Sequence, residues 1–271
     1  MIKFFLSFCF ILLIGNSIGQ MANLKFSPIN AVSFNQSVEV WNVDNLGNIY
    51  AIQGNSLEKL DSIGRKMYTQ SIKSIGKISA IEPINAMKTL LFSEEQQLVC
   101  FVDNTLSLNG DCKNLDDFQI QNAKMVAIST RSNLLWIYDE FRSTIILLDI
   151  VNNKVVQRVE NLKGIIGTDA ELVQMIEKDN YLYITTVDGK VYEFDQMLSE
   201  TGNQYNDFQK VWSREKKITV ELKGQEIILN DWLNDKNQRI LSPENSILEF
   251  KILGDNFYFL LDKKISRYSL K

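Results

Sequence analysis

The chain has 271 residues, of which 45% are hydrophobic and 23% charged, with a formal net charge of −4 and no histidine. These totals fit a folded globular protein of one large or two small domains, and the interspersed charges exclude the clustered Lys and Arg of a nucleic-acid footprint. The missing imidazole removes Ser-His-Asp and Cys-His catalysis and the usual histidine-bearing zinc and iron sites, while leaving carboxylate chemistry and calcium binding open.

Residues 1–19, "MIKFFLSFCFILLIGNSIG", place Lys3 before an apolar run from Phe4 to Gly15 and end in small Ser17 and Gly19. This is the pattern of a secretory signal peptide cleaved after Gly19. A membrane anchor is the rival reading, but the run is short for a ~30 Å hydrocarbon core. Cys9 lies inside the run, which argues against a lipidation signal. The expectation is an exported chain whose residues 20–271 form one domain.

From there short alternating runs dominate, separated by Asn, Asp, Gly and Ser turns. A recurring pair of strands begins at Ile49, Thr89, Leu134, Tyr181 and Phe257, with a weaker match at Glu226. A spacing of roughly 40–45 residues with four short strands per unit predicts an all-β fold, a single β-propeller. The first unit reads "VEVWNVD", "IYAIQ", "SLEKLDS", "KMYTQS"; the third reads "KMVAIST", "LLWIYDE", "STIILLDI", "KVVQRVE". In "TIILLDI" (Thr144 to Ile150) nearly every position is apolar, as a strand buried on both faces requires. The last unit stops one strand short. A spare N-terminal strand, Ala22 to Ile29, is expected to complete it and close the ring. Six blades are expected, or seven if Gln196–Lys217 holds another. The basic run Ser213–Lys217 reads as a solvated face.

Cys100 and Cys112 follow the signal segment. An exported chain permits a disulfide between them, while the apolar "LVCFV" around Cys100 fits a buried free thiol equally well. Asp44, Asp103, Asp139, Asp188 and Asp262 recur at strand ends. They are either turn residues, each bonding the backbone two residues on, or a carboxylate ring holding calcium at one mouth of the propeller. No other cofactor or metal is implied. Trp41, Trp136, Tyr50, Tyr183, Tyr192 and Phe259 sit in the strand pattern and are expected between blades. Trp232 stands in the poorly patterned "LNDWLNDKN", as a core residue or as an interface anchor. Gln196–Ser213 is long for a connection. It is expected as a binding loop or an irregular outer strand, with Tyr205, Phe208 and Trp212 as contacts, or as an ordinary packed connection.

Around Asp44–Arg65 the residues Asp44, Gly47, Asn48, Ile49, Tyr50, Leu57, Asp61 and Gly64 resemble an NHL-type propeller repeat. "LLWIYDEFRSTIILLDIVNNKVVQRVE" resembles the repeats of quinoprotein-like propellers, and the whole chain resembles exported propeller proteins of Bacteroidota. That resemblance implies an accessory role at the outer membrane, including around type IX secretion machinery. It carries over no catalytic residue. The expected function is a non-enzymatic, protein-binding scaffold in a cell-envelope complex, at the periplasm or cell surface. The alternatives are a carbohydrate- or lactone-acting hydrolase or lyase using carboxylates at the channel mouth, and a surface lectin or adhesin.

Overall fold

The computed structural model describes residues 24–206, 210–213, 218–231 and 234–271; the expected signal segment lies outside them. The first strand among the described residues is β1 (Phe26–Ser33). Blade 1 is β2 (Val40–Val43), β3 (Ile49–Gln53), β4 (Ser56–Leu60) and β5 (Lys66–Ser71). Blade 2 is β6 (Ala80–Asn85), β7 (Lys88–Ser93), β8 (Leu98–Asp103) and β9 (Lys113–Asn114). Blade 3 is β10 (Ala123–Ile128), β11 (Leu134–Asp139), β12 (Thr144–Asp149) and β13 (Lys154–Val159). A short helix, α1 (Leu162–Ile165), leads into blade 4: β14 (Leu172–Lys178), β15 (Tyr181–Thr186), β16 (Lys190–Phe194) and β17 (Glu200–Asn206). Blade 5 is β18 (Lys210–Ser213), β19 (Ile218–Lys223), β20 (Glu226–Asp231) and β21 (Lys236–Leu241). Blade 6 is β22 (Glu249–Leu253), β23 (Asn256–Leu261) and β24 (Lys264–Leu270), with β1 as its fourth strand.

Each blade is a four-stranded antiparallel sheet, a continuous meander in blades 1 to 5, and the six form a ring. Strand β1 pairs with β24 from Phe26 opposite Leu270 to Ser33 opposite Lys264. The closing strand overlaps the expected Ala22–Ile29 over Phe26–Ile29 and runs on to Ser33. Backbone bonds between Lys25 and Lys271, at 2.7 and 3.0 Å, extend the seam.

The two faces of each sheet feed different cores. In β12, Ile145 and Leu147 pack against blade 4, while Ile146 and Leu148 pack against blade 2, and all four are fully buried. A sheet with two apolar faces cannot stand alone in water, so each blade is covered by its neighbours. Further cores join blades 1 and 2, 5 and 6, and 6 and 1.

Among the described residues, Gln196–Lys217 holds no seventh blade. It spans the outer strand of blade 4 and the inner strand of blade 5. The repeat at Glu226 also proves to be set one strand late: Glu226 begins the third strand of blade 5, and the second begins at Ile218. The charged "SREKK" in front of that second strand breaks the apolar alternation that marks it elsewhere.

Two glycine turns in blade 1 use one device. Gly47 and Gly64 take φ of +82° and +88°, and their N–H groups donate to the carbonyls of Asp44 and Asp61. A Cβ at Gly64 would come within 2.4 Å of Val32 Cγ2 on the closing strand, so this turn also seats the seam.

Candidate functional site

The inner strands β2, β6, β10, β14 and β22, with β18, stand around the axis, and neighbours among them touch. The first five of these strands wall a channel of about 670 Å³ lined by Asn42, Glu82, Lys124, Gln174, Glu177 and Lys251 among others. Inner strands of successive blades run the same way. The turns after first and third strands therefore share one rim, here the first, and the turns after second strands share the opposite, second rim.

The channel charges are held by partners. Lys124 Nζ lies 2.9 Å from Glu94 Oε1. The hydrogen bond and charge of Glu94, helped by Glu140 and Glu171, push the Lys124 ammonium above its ordinary range. Glu177, near the end of β14, accepts from the Thr130 hydroxyl and the Trp136 indole N–H. Burial raises its pKa, but hydrogen bonds from Thr130, Ser129 and Trp136 outweigh burial and leave it below the ordinary range.

A second indole is held in the same way. Trp41 Nε1 donates to Glu249 Oε2 at 2.7 Å across the blade 1–blade 6 boundary. A cation covers each ring: Lys251 Nζ lies 5.3 Å from the Trp41 ring centre and the Arg131 guanidinium 5.4 Å from that of Trp136. The two differ in one respect. Lys251 is paired with Glu249 at 2.9 Å, whereas Nε and Nη2 of Arg131 are buried without a hydrogen-bond partner among the described residues.

Arg131 lines a cleft of about 530 Å³ on the first rim, between the first turns of blades 2 and 3. Ile84, Ile128, Leu134 and Ile150 form its apolar wall, and Lys88, Ser132 and Asn133 line it as well.

The recurring aspartates do not form one ring. Asp44 and Asp103 close turns on the first rim; Asp139, Asp188 and Asp262 close turns on the second. Their oxygens serve local bonds. Asp44, almost wholly buried, accepts from the N–H groups of Leu46 and Asn48, from Asn48 Nδ2 and from the Tyr50 hydroxyl. Asp103 accepts from Thr105 and Ser107, Asp139 from Gln121, Asn122 and Phe141, Asp188 from the Thr186 hydroxyl and Asp262 from the Ser37 hydroxyl. Among the described residues, no three His, Cys, Asp or Glu side chains gather as metal ligands would.

Of the other expected residues, Trp41, Trp136, Tyr50, Tyr183, Tyr192 and Phe259 are all buried. Cys100 and Cys112 are joined by a disulfide, with Cα atoms 4.3 Å apart. It ties the chain just before the two-residue strand β9 back to β8. Phe208 and Trp232 lie outside the described residues. Tyr205 is a residue of β17, opposite Val191, and Trp212 one of β18, so these two belong to strands of different blades and not to one loop.

The sequence also failed to mark a set of exposed apolar tips. Leu46, Ile63, Met87, Val151 and Met197 each follow an Asp or Asn by two positions and donate their N–H to its side chain. All five stand on the first rim and are between 58% and 74% exposed.

No protein-family profile matches the sequence, and no curated protein matches it. Solved structures do. The WD40 domain of Neurospora crassa Pan2 is 10% identical, with a TM-score of 0.62 over 90% of this chain and 95% of that one. A chain of the mitotic checkpoint complex is 8% identical, with a TM-score of 0.63 over 99% of each. Virginiamycin B lyase from Staphylococcus aureus is 10% identical, with a TM-score of 0.58 over 92% of this chain and 100% of that one. At such identities the likeness is one of fold: the chain is a six-bladed β-propeller.

Proposed function

We propose that this propeller is an exported protein-binding scaffold, an accessory subunit of a cell-envelope assembly. The observation that carries the reading is the row of apolar tips on the first rim. Leu46, Ile63, Met87, Val151 and Met197 project from turns that their own Asp or Asn side chains hold in shape. Turns already held in shape lose little backbone entropy on docking, and their exposed apolar side chains gain by leaving water, so they suit a protein partner. Propellers of similar fold occur in the mitotic checkpoint complex and in the complex of BBS1N with ARL6. The N-terminal apolar segment supports export, and the resemblance to exported Bacteroidota propellers with NHL-like repeats supports an envelope setting.

A second reading, a lyase, takes its support from the virginiamycin B lyase fold. A histidine-to-alanine variant of that lyase is catalytically inactive. The present chain has no histidine, so the same chemistry would require another base.

The test is affinity purification of the tagged protein from its native envelope after cross-linking. A defined partner is expected, lost when Leu46, Met87 and Met197 are replaced by Ser. A protein that comes out alone and turns over a sugar or a lactone would overturn the scaffold reading.

A further inference from the structure

The outer strand of each blade has a neighbour on one side only, so the six outer edges can be compared within one molecule. Five of them are blunted. Met67 in β5, Val156 in β13 and Ile29 in β1, beside Pro28, are extra residues that break the register with the next strand inward. Strand β17 loses register between Glu200 and Gln204. Such breaks twist an edge away from further pairing. Strand β9 has only two residues, and the chain ahead of it covers β8: the Asn109 N–H donates to the Phe101 carbonyl at 2.8 Å, and Leu108 bridges to Val102.

Strand β21 is different. It pairs with β20 from Glu226 opposite Leu241 to Asp231 opposite Lys236, six pairs without a break. The Ser242 N–H donates to the Gln225 carbonyl at 2.7 Å, so the backbone groups of Ile240, Gln238 and Lys236 turn towards β20 as well. Those of Asn237, Arg239 and Leu241 turn outward, and no backbone group among the described residues meets them. The side chains leave this row open: Leu241 is 73% exposed, and Arg239 is drawn to Glu226 at 3.2 Å.

Unpaired N–H and C=O groups at every second residue are matched by the backbone of another extended chain. A second copy of this protein fits poorly. Antiparallel pairing of β21 with itself, centred on Arg239, sets like charges opposite each other. Centred on Gln238, it leaves Leu241 against Asp235, outside the strand; centred on Ile240, it uses only half of β21. We infer that β21 is the acceptor edge for an extended segment of a partner protein, which adds a further antiparallel strand to blade 5 with an aliphatic side chain beside Leu241. This edge lies on the side of the ring, apart from the apolar tips, and rests on no part of the scaffold reading.

The probe is the heptapeptide Ser-Thr-Val-Thr-Ser-Thr-Ser, acetylated and amidated, titrated into the full chain and followed by NMR. Binding is expected, with slowed amide exchange at Asn237, Arg239 and Leu241 and none along β5 or β13. N-methylation of the peptide's third, fifth and seventh residues, whose N–H groups face β21 when the valine stands beside Leu241, is expected to weaken binding at least about tenfold, while N-methylation of the second, fourth and sixth leaves it within about twofold. Asn237→Pro removes an outward N–H that the fold does not use and is expected to weaken binding several-fold. Leu241→Lys is expected to weaken it likewise, with rescue when the peptide's valine is replaced by glutamate. No binding, equal loss from the two methylation patterns, or slowed exchange on another blade's outer strand overturns the inference. So does a concentration-dependent dimer of the chain that Asn237→Pro disrupts, which gives the edge to a second copy. The methylation comparison needs no variant and stands even if Asn237→Pro fails to fold. A chain that captures its envelope partner yet ignores the peptide keeps the scaffold reading and loses this one.

Discussion

Asp44 shows how much one side chain can hold in place. Its carboxylate closes the first turn of blade 1 and reaches the buried Tyr50 hydroxyl at 3.2 Å. Asp44→Ala removes the acceptor for four donors, one of them buried, and is expected to cost about 3 kcal/mol in urea unfolding. Asp44→Asn keeps one acceptor oxygen and is expected to cost about 1 kcal/mol. Equal losses from the two variants would show that the hydrogen-bonded oxygen is not what holds the turn. Other turn acids set the response to pH. Hydrogen bonds from Thr105, Asn152 and Thr186 are the leading reasons that Asp103, Asp149 and Asp188 sit below the ordinary carboxylate range. A carboxyl depressed in the folded state adds stability that is fully present above its unfolded pKa, about 4, and is lost as pH falls through the folded value. The urea midpoint is therefore expected to be flat from about pH 7 to 5 and to drop below about pH 4. The triple variant Asp103→Asn, Asp149→Asn, Asp188→Asn is expected to flatten that drop; an unaltered acid limb would assign it to other groups. That these aspartates start turns was legible in the residue pattern, because Asp bonds the backbone two positions on. The open guanidinium of Arg131 was not legible: nothing within "STRSN" shows that Trp136 lies beneath it, or that Glu177 of the next blade is already filled.

Strand β12 is buried on both faces. Ile146 and Leu147 are adjacent in the chain, fully buried, and belong to different inter-blade cores. Ile146→Ala and Leu147→Ala are each expected to cost about 2–5 kcal/mol. In a sheet with one wet face, one of the two would cost little, so a large difference between them in urea unfolding would count against two-sided burial. The disulfide acts at the same scale. Strand β9 has only two residues and pairs with β8 at Leu98 and Val99 alone, so the Cys100–Cys112 bond supplies much of what keeps the edge of blade 2 in place. Cys100→Ala with Cys112→Ala is expected to lower stability by about 3 kcal/mol and to raise hydrogen exchange first in residues 98–114. Exchange that rises evenly over the ring would deny the bond a local role. The strands of blades 1 and 3 were legible because their apolar runs end at clear turn residues. Blade 5 was not, because its second strand, "ITVELK", follows a charged segment and resembles an edge, and the repeat was therefore set on the third strand.

At the scale of the whole molecule, the seam between β1 and β24 decides whether six sheets become one ring. Without β1 the outer edge of blade 6 would present unpaired N–H and C=O groups along β24. Val32, Phe34 and Phe26 would also leave the cores around blade 6. Ring closure was legible in the sequence, since the last unit lacks a strand and the N-terminal region offers one. The register was not: Phe26 is placed by rings from two other strands, at 5.2 Å from Phe257 and 6.3 Å from Tyr268, and that contact exists only once the sheet has formed. A chain beginning at residue 35 should therefore form oligomers through the open edge, which seeks a strand from another copy. A synthetic peptide of residues 24–34, added in excess during refolding, should return it to a monomer by filling the empty lane. Phe26→Ala in that peptide should weaken the rescue at least tenfold, because the aromatic contacts fix the register. Size-exclusion chromatography reads all three outcomes. A shortened chain that stays monomeric and as stable as the full one would mean that blades 1 and 6 hold each other without the seam, and the ring would then owe its closure to side-chain packing alone.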